Sequence, residues 1–200
     1  MSSRPDELAI AWIVLSSLLA SAPTLLAQPQ WHYEVNKHGL RSAFIEQRAT
    51  VLGADCMTHL RFNAAQDRKE GAVGMLGLYF MVSPMRSIKG FDFEYFHGRD
   101  APVGDRELMR VTVTKEGESF VHRLGAGGFL SAEVRDGFVF HASNPTHDKQ
   151  GRVRKLLDQL RGAERLEIAV IDGRDPAIVL SITFPLAGSK PALEALLKGF

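Results

Sequence analysis

The sequence predicts a mainly β protein of the α+β class: an antiparallel β-sandwich or open barrel with two short helices in its C-terminal third. Three observations carry this. Short segments alternate apolar and polar residues with the period of two that half-buried strands require. Three pairs of such segments flank compact turns, Lys115-Glu-Gly-Glu118, Arg135-Asp-Gly137 and Asp172-Gly-Arg-Asp-Pro176, which read as hairpins. In the last third, two stretches switch to helical spacing: Val153, Leu156, Leu157 and Leu160, then Leu193, Leu196 and Leu197.

Taken in order, Trp31-His-Tyr-Glu-Val35 alternates and reads as a strand, with Lys37-His38-Gly39 turning the chain into a second strand over 40–52. The third strand is the clearest, with Cys56, Thr58, Leu60 and Phe62 on one face and Met57, His59, Arg61 and Asn63 on the other. Residues 64–72 are polar enough for a solvated loop. Residues 73–82, VGMLGLYFMV, are apolar on both parities and predict a central strand covered on both sides, with Gly74 and Gly77 as places for a bulge or close backbone approach. Ser83-Pro84 ends it.

The stretch from Ile88 to Gly104 is the most chemically dense of the chain. Strand parity places Phe91, Phe93 and Tyr95 toward the core and Asp92 and Glu94 on the opposite face, and Gly98-Arg-Asp-Ala-Pro102 breaks into a loop. Strands over 108–115 and 119–123 make the first hairpin, 129–134 and 138–142 the second, and 166–171 and 177–184 the third. Ser189 is placed to cap the closing helix. No linker or repeat divides the chain, so residues 28–200 are expected to form a single β-rich domain.

Residues 1–27 have the layout of a secretory signal peptide: a short polar start, the apolar run Leu8 to Leu19, and small residues ending at Ala27. Asp6 and Glu7 make the start less basic than usual, and a retained anchor is the rival reading; Pro23 and the hydroxyls of Ser16, Ser17, Ser21 and Thr24 make the segment a poor bilayer span. The remainder contains no apolar run of spanning length, so the mature domain is expected not to span a membrane. Its 24 Lys+Arg less Arg4, against 23 Asp+Glu less Asp6 and Glu7, give a charge near neutrality, which argues against a nucleic-acid partner.

Cys56 is the single cysteine, so no internal disulfide can form, and its parity with Leu60 and Phe62 predicts a buried, unreactive thiol. Asn144-Pro145-Thr146 carries the proline that excludes glycosylation, which favours a bacterial envelope over a eukaryotic secretory route.

Catalytic signatures are absent from the sequence. Gly117-Glu-Ser-Phe-Val121 lacks the second glycine of a nucleophile elbow, and Gly125-Ala-Gly-Gly128 precedes a strand, so it is no phosphate cradle. His141 and His147 are not at a metal-ligand spacing. No cofactor or metal is expected. The candidate binding residues are Asp92, Glu94 and His97, then Arg99, Asp100 and Asp105 in the loop that follows, where polar side chains on a connecting segment suit recognition. The bland alternatives are a solvated acidic strand face and local turn stabilisation. Likewise, Arg152, Arg154, Lys155 and Arg161 read as a solvated helix face.

The close of the chain, Ile182-Thr-Phe-Pro-Leu186-Ala-Gly188 running into Ala192-Leu193 and Leu196-Leu197, resembles the invasion-associated locus B-like periplasmic proteins. That resemblance implies a bacterial envelope β-protein without an assigned catalytic residue; such proteins generally contain paired cysteines, from which this chain departs. The expected function is a non-enzymatic, periplasmic or secreted binding or accessory protein. Its partner, an unidentified protein or small molecule of the envelope, would be recognised around residues 97–105. The alternatives are a metal-assisted hydrolase built on Asp92, Glu94 and His97, and a carrier of a small apolar ligand beside Phe80, Phe91, Phe93 and Tyr95.

Overall fold

The computed structural model describes residues 29–66, 73–98, 106–143 and 152–198; the signal peptide expected over residues 1–27 lies outside the described residues. In chain order the strands are β1 (Trp31–Val35), β2 (Arg41–Val51), β3 (Ala54–Gln66), β4 (Val73–Ser83), β5 (Met109–Lys115), β6 (Glu118–Leu124), β7 (Gly127–Leu130), β8 (Phe138–Ser143), β9 (Arg165–Ile171) and β10 (Val179–Pro185). Helix α1 (Arg152–Gln159) precedes β9, and α2 (Lys190–Leu197) closes the described chain. The strands form two antiparallel sheets, one ordered β1-β2-β3-β4-β8-β7 and the other β10-β9-β5-β6. Neither sheet closes on itself, so of the two expected architectures the sandwich is the one adopted.

Alternation decides what each strand buries. On β3, Thr58, Leu60 and Phe62 are fully buried and Cys56 nearly so, while Met57 is 40% exposed. Leu60 stands opposite Phe80 on β4, and Phe80 opposite Phe140 on β8. Phe80 also meets Phe184 of β10 edge-on, with ring centroids 6.0 Å apart, so both sheets share one core. Truncating a ring such as Phe80 to alanine should cost about 3–5 kcal/mol, through lost burial and the cavity left behind. The sheets are also tied by Gln47 Nε2 donating to the Thr183 carbonyl (2.7 Å) and Trp31 Nε1 to that of Pro185 (3.0 Å). Helix α1 turns Val153, Leu156 and Leu157 inward and touches β4, β5 and β6; α2 covers β1, β2 and β3 with Leu193, Leu196 and Leu197.

The turn chemistry explains the register. Glu116 and Gly117 both have positive φ (53° and 79°), and the two-residue turn pairs Lys115 with Glu118. On β4 the expected bulge falls at Gly74: Ala65 faces Met75 and Gln66 faces Val73, leaving Gly74 as the extra residue.

Five expectations need correction. The strand predicted through Phe91, Phe93 and Tyr95 is a 3-10 turn over Phe93–Tyr95, because the Asp92 carboxylate accepts the Tyr95 N–H and diverts the backbone from a ladder. Phe91 and Phe93 are core as expected, but Phe96 joins them fully buried, and Tyr95 is only partly buried. The strand expected to reach Val134 stops at Leu130, where the Ser131 hydroxyl accepts the N–H groups of Glu133 and Val134. Ser189 makes no side-chain cap; its backbone is already helical (φ −70°, ψ −24°) and its carbonyl accepts the Leu193 N–H. Finally, β4 is central in its sheet, but its outer side carries the wall of a pocket open to solvent where a second packed layer was expected.

Candidate functional site

Asp92, Glu94 and His97 do not converge. The Asp92 N–H donates to Asp172 Oδ2 (2.6 Å), and the Asp92 carboxylate accepts from the Tyr95 N–H (3.3 Å) and lies 2.6 Å from Arg174 Nε. Asp92 therefore stitches the 3-10 turn to the loop after β9. Asp172, at 1% exposure, is the hub: its other oxygen accepts the Arg174 and Asp175 N–H groups at 2.8 and 2.9 Å. Burial alone would raise its pKa, but the N–H donors of Asp92, Asp175 and Arg174, with the Arg174 charge, outweigh it and hold the carboxyl below its ordinary value. Arg106 Nη1 donates to the Gly173 carbonyl (2.6 Å), fastening the same loop from a third side.

Glu94 and His97 lie apart from this hub, on the surface, with Glu94 Oε2 and His97 Nδ1 3.6 Å apart. The Gly98 N–H donates to the Gly128 carbonyl (2.9 Å) and His97 bridges to Gly128, so these two residues lie beside β7. Arg99, Asp100 and Asp105 fall outside the described residues. Among the described residues no group of three His, Cys, Asp or Glu side chains is placed to hold a metal ion. Phe91 and Phe93 spend their surface on Phe96, Phe138 and Phe140 in the core. Cys56 is buried, and desolvation first, then the Asp55 charge, raises the pKa of its thiol, which keeps it protonated and inert.

A concave site does exist, on the outer face of the six-stranded sheet. Its floor crosses four strands in register: His59 beside Met81, Arg61 beside Tyr79, Met81 beside Val139, and Val139 beside Phe129. Asn63 extends the floor, and the turn after β7, from Ser131 to Val134, raises a lip on one side. The volume is about 290 Å³. The lip is held by its own Ser131 bonds and, further along the turn, by Met85 N–H donating to the Asp136 carbonyl (2.8 Å) and Ser83 Oγ to that of Arg135 (3.2 Å).

The polar groups of the floor are individually oriented. Ser42 Oγ donates to Asn63 Oδ1 (2.8 Å), fixing the amide. Arg61 reaches Glu34 (3.1 Å) and lies over the Phe44 ring, 4.9 Å from its centroid. Phe129, 41% exposed, and Tyr79 flank the His141 ring at 5.6 and 6.1 Å.

His59 is the exception. Its Nδ1 stands 3.4 Å from Glu46 Oε1, while its Nε2 is shielded from solvent and has no hydrogen-bond partner. Desolvation first, then Arg61, lowers its pKa below the ordinary histidine value against the opposing pull of Glu46, Glu133 and Glu34. The ring is therefore neutral at pH 7, and Glu46 selects the tautomer with the proton on Nδ1, leaving Nε2 as an acceptor. Asp92 Oδ2 and Asp136 Oδ1 are likewise buried without a hydrogen bond, but each faces an arginine.

Sequence reasoning missed this site because it treated His59, Arg61 and Asn63 as the solvated parity of β3. The usable signal was the next strand: Tyr79 and Met81 share an outward parity too apolar for bare solvent, and β4 pairs with β3. Comparison with protein-family models, curated proteins and solved structures finds no match to this chain.

Proposed function

We propose that this chain is a non-enzymatic binding protein exported to the bacterial envelope, holding a small ligand on the outer face of its larger sheet. The observation that carries the reading is the pocket floor, where oriented polar side chains alternate with Met81, Val139 and Phe129 and where His59 Nε2 has no partner. Pockets that bind small molecules combine apolar walls with a few fixed polar groups in this way. The export half rests on the order of residues 1–27. His97 bridges to Gly128, next in sequence to Phe129 of the pocket, and recognition through residues 97–105 remains part of this reading.

Two experiments test the halves separately. A reporter enzyme active only outside the cytoplasm, fused after Ala27, should be active, and inactive without residues 1–27; activity in both forms overturns export. A thermal-shift screen of small polar and amphipathic metabolites should find compounds that raise the Tm of the wild type and not of Phe129→Ala. Stabilisers acting equally on both proteins would overturn the site.

A further inference from the structure

We infer that the outer-face pocket takes one ring of a neutral saccharide. The inference rests on the binding reading above and specifies its ligand. At about 290 Å³ the site falls just under the roughly 300 Å³ at which pockets for drug-sized molecules begin, which suits a single sugar ring.

The lining selects by hydrogen bonding. Asn63, Tyr79 and Ser131 bring donors; His59 Nε2, Glu133 and the Asn63 carbonyl bring acceptors. A set mixing both roles is matched by hydroxyl groups, each of which donates and accepts. A purely apolar ligand would strand those groups at about 1–3 kcal/mol each. An anion is disfavoured, because Arg61 is committed to Glu34 and Phe44 while Glu133 and Glu46 stand close by. The apolar part of the lining, Phe129, Met81, Val134 and Val139, supplies a surface for the C–H face of a pyranose, with the exposed Phe129 ring at one wall. A hydroxyl brought to His59 Nε2 by a small shift of the wall makes a bond that the ligand-free chain lacks.

The test is amide chemical-shift mapping of the full chain titrated with glucose, galactose, N-acetylglucosamine, maltose and cellobiose, alongside p-cresol and hexanol. At least one saccharide should shift amides of β3, β4 and β7 saturably. Phe129→Ala and His59→Leu should each weaken it tenfold or more, while Val121→Ala, on the exposed side of β6, leaves it unchanged. Phe129 is already 41% exposed, so its truncation keeps the fold, which the same spectra report. If p-cresol or hexanol shifts these amides and no saccharide does, the saccharide assignment falls and the binding reading stands. If none of the seven shifts them, both fall.

Discussion

Asp172 and Asp92 are joined through one backbone bond: the buried Asp172 carboxylate accepts the Asp92 N–H at 2.6 Å, while Arg174, two residues from Asp172, closes on the carboxylate of Asp92 at the same distance. Two acidic residues from distant segments are thereby held together without repelling each other, since one is neutralised by N–H dipoles and the other by a guanidinium.

Asp172→Asn should therefore destabilise the chain more than Asp92→Asn. The buried oxygens of Asp172 accept bonds to a charged group worth about 1.5–3 kcal/mol each, and an amide can replace one acceptor only. Urea unfolding at pH 7 measures the difference. The folded pKa of Asp172 is depressed, so its contribution is complete above the ordinary Asp range and is lost as pH falls through the folded value. The gap between wild type and Asp172→Asn should accordingly close in acid.

Gly173→Ala should be strongly destabilising. A Cβ there would overlap the Tyr95 ring at Cγ and Cδ1, near its attachment to the chain, so relief requires moving the whole ring. Overpacking of this kind costs about 1–3 kcal/mol or more. In the double variant with Tyr95→Ala the two losses should be less than additive; full additivity in a double-mutant cycle would refute the contact as the cause.

His59 predicts a pH signature of opposite origin. Its folded pKa is depressed, so the unfolded chain takes up the proton first, and stability is full above the ordinary His value and declines as pH falls below it. Between pH 7.5 and 5.5 the wild type should lose stability relative to His59→Gln. Because Glu46, Glu133 and Glu34 oppose that depression while Arg61 adds to it, Glu46→Gln should make the decline steeper.

The triple change of Arg99, Asp100 and Asp105 to alanine addresses the polar loop directly. Ligand affinity should fall if these residues take part in recognition; affinity equal to the wild type would remove them from the site.

The fold was largely legible because alternation is a direct readout of burial: Cys56, Leu60 and Phe62 sit where parity put them, and the hairpin across Glu116-Gly117 follows from its turn residues. The stretch around Asp92 was misread for a local reason. A side-chain carboxylate competing for the Tyr95 N–H makes the same residues fold as a turn, and the partners that settle the outcome, Asp172 and Arg174, are about eighty residues away in sequence. The pocket escaped notice because no single strand contains it. His59, Tyr79, Phe129 and Val139 become neighbours only when β3, β4, β7 and β8 align.

The order of synthesis sets a further condition. β5 is paired on one side by β6, which follows it at once, and on the other by β9, which begins only at Arg165. Everything before that point emerges with one flank of β5 unsatisfied, Phe80 without Phe184, and the surface of β1 to β3 without α2. The smaller sheet is thus completed only once β9 and β10 have followed β5 and β6 by about forty residues or more, so its core is closed by segments distant in sequence and its formation is governed by long-range pairing.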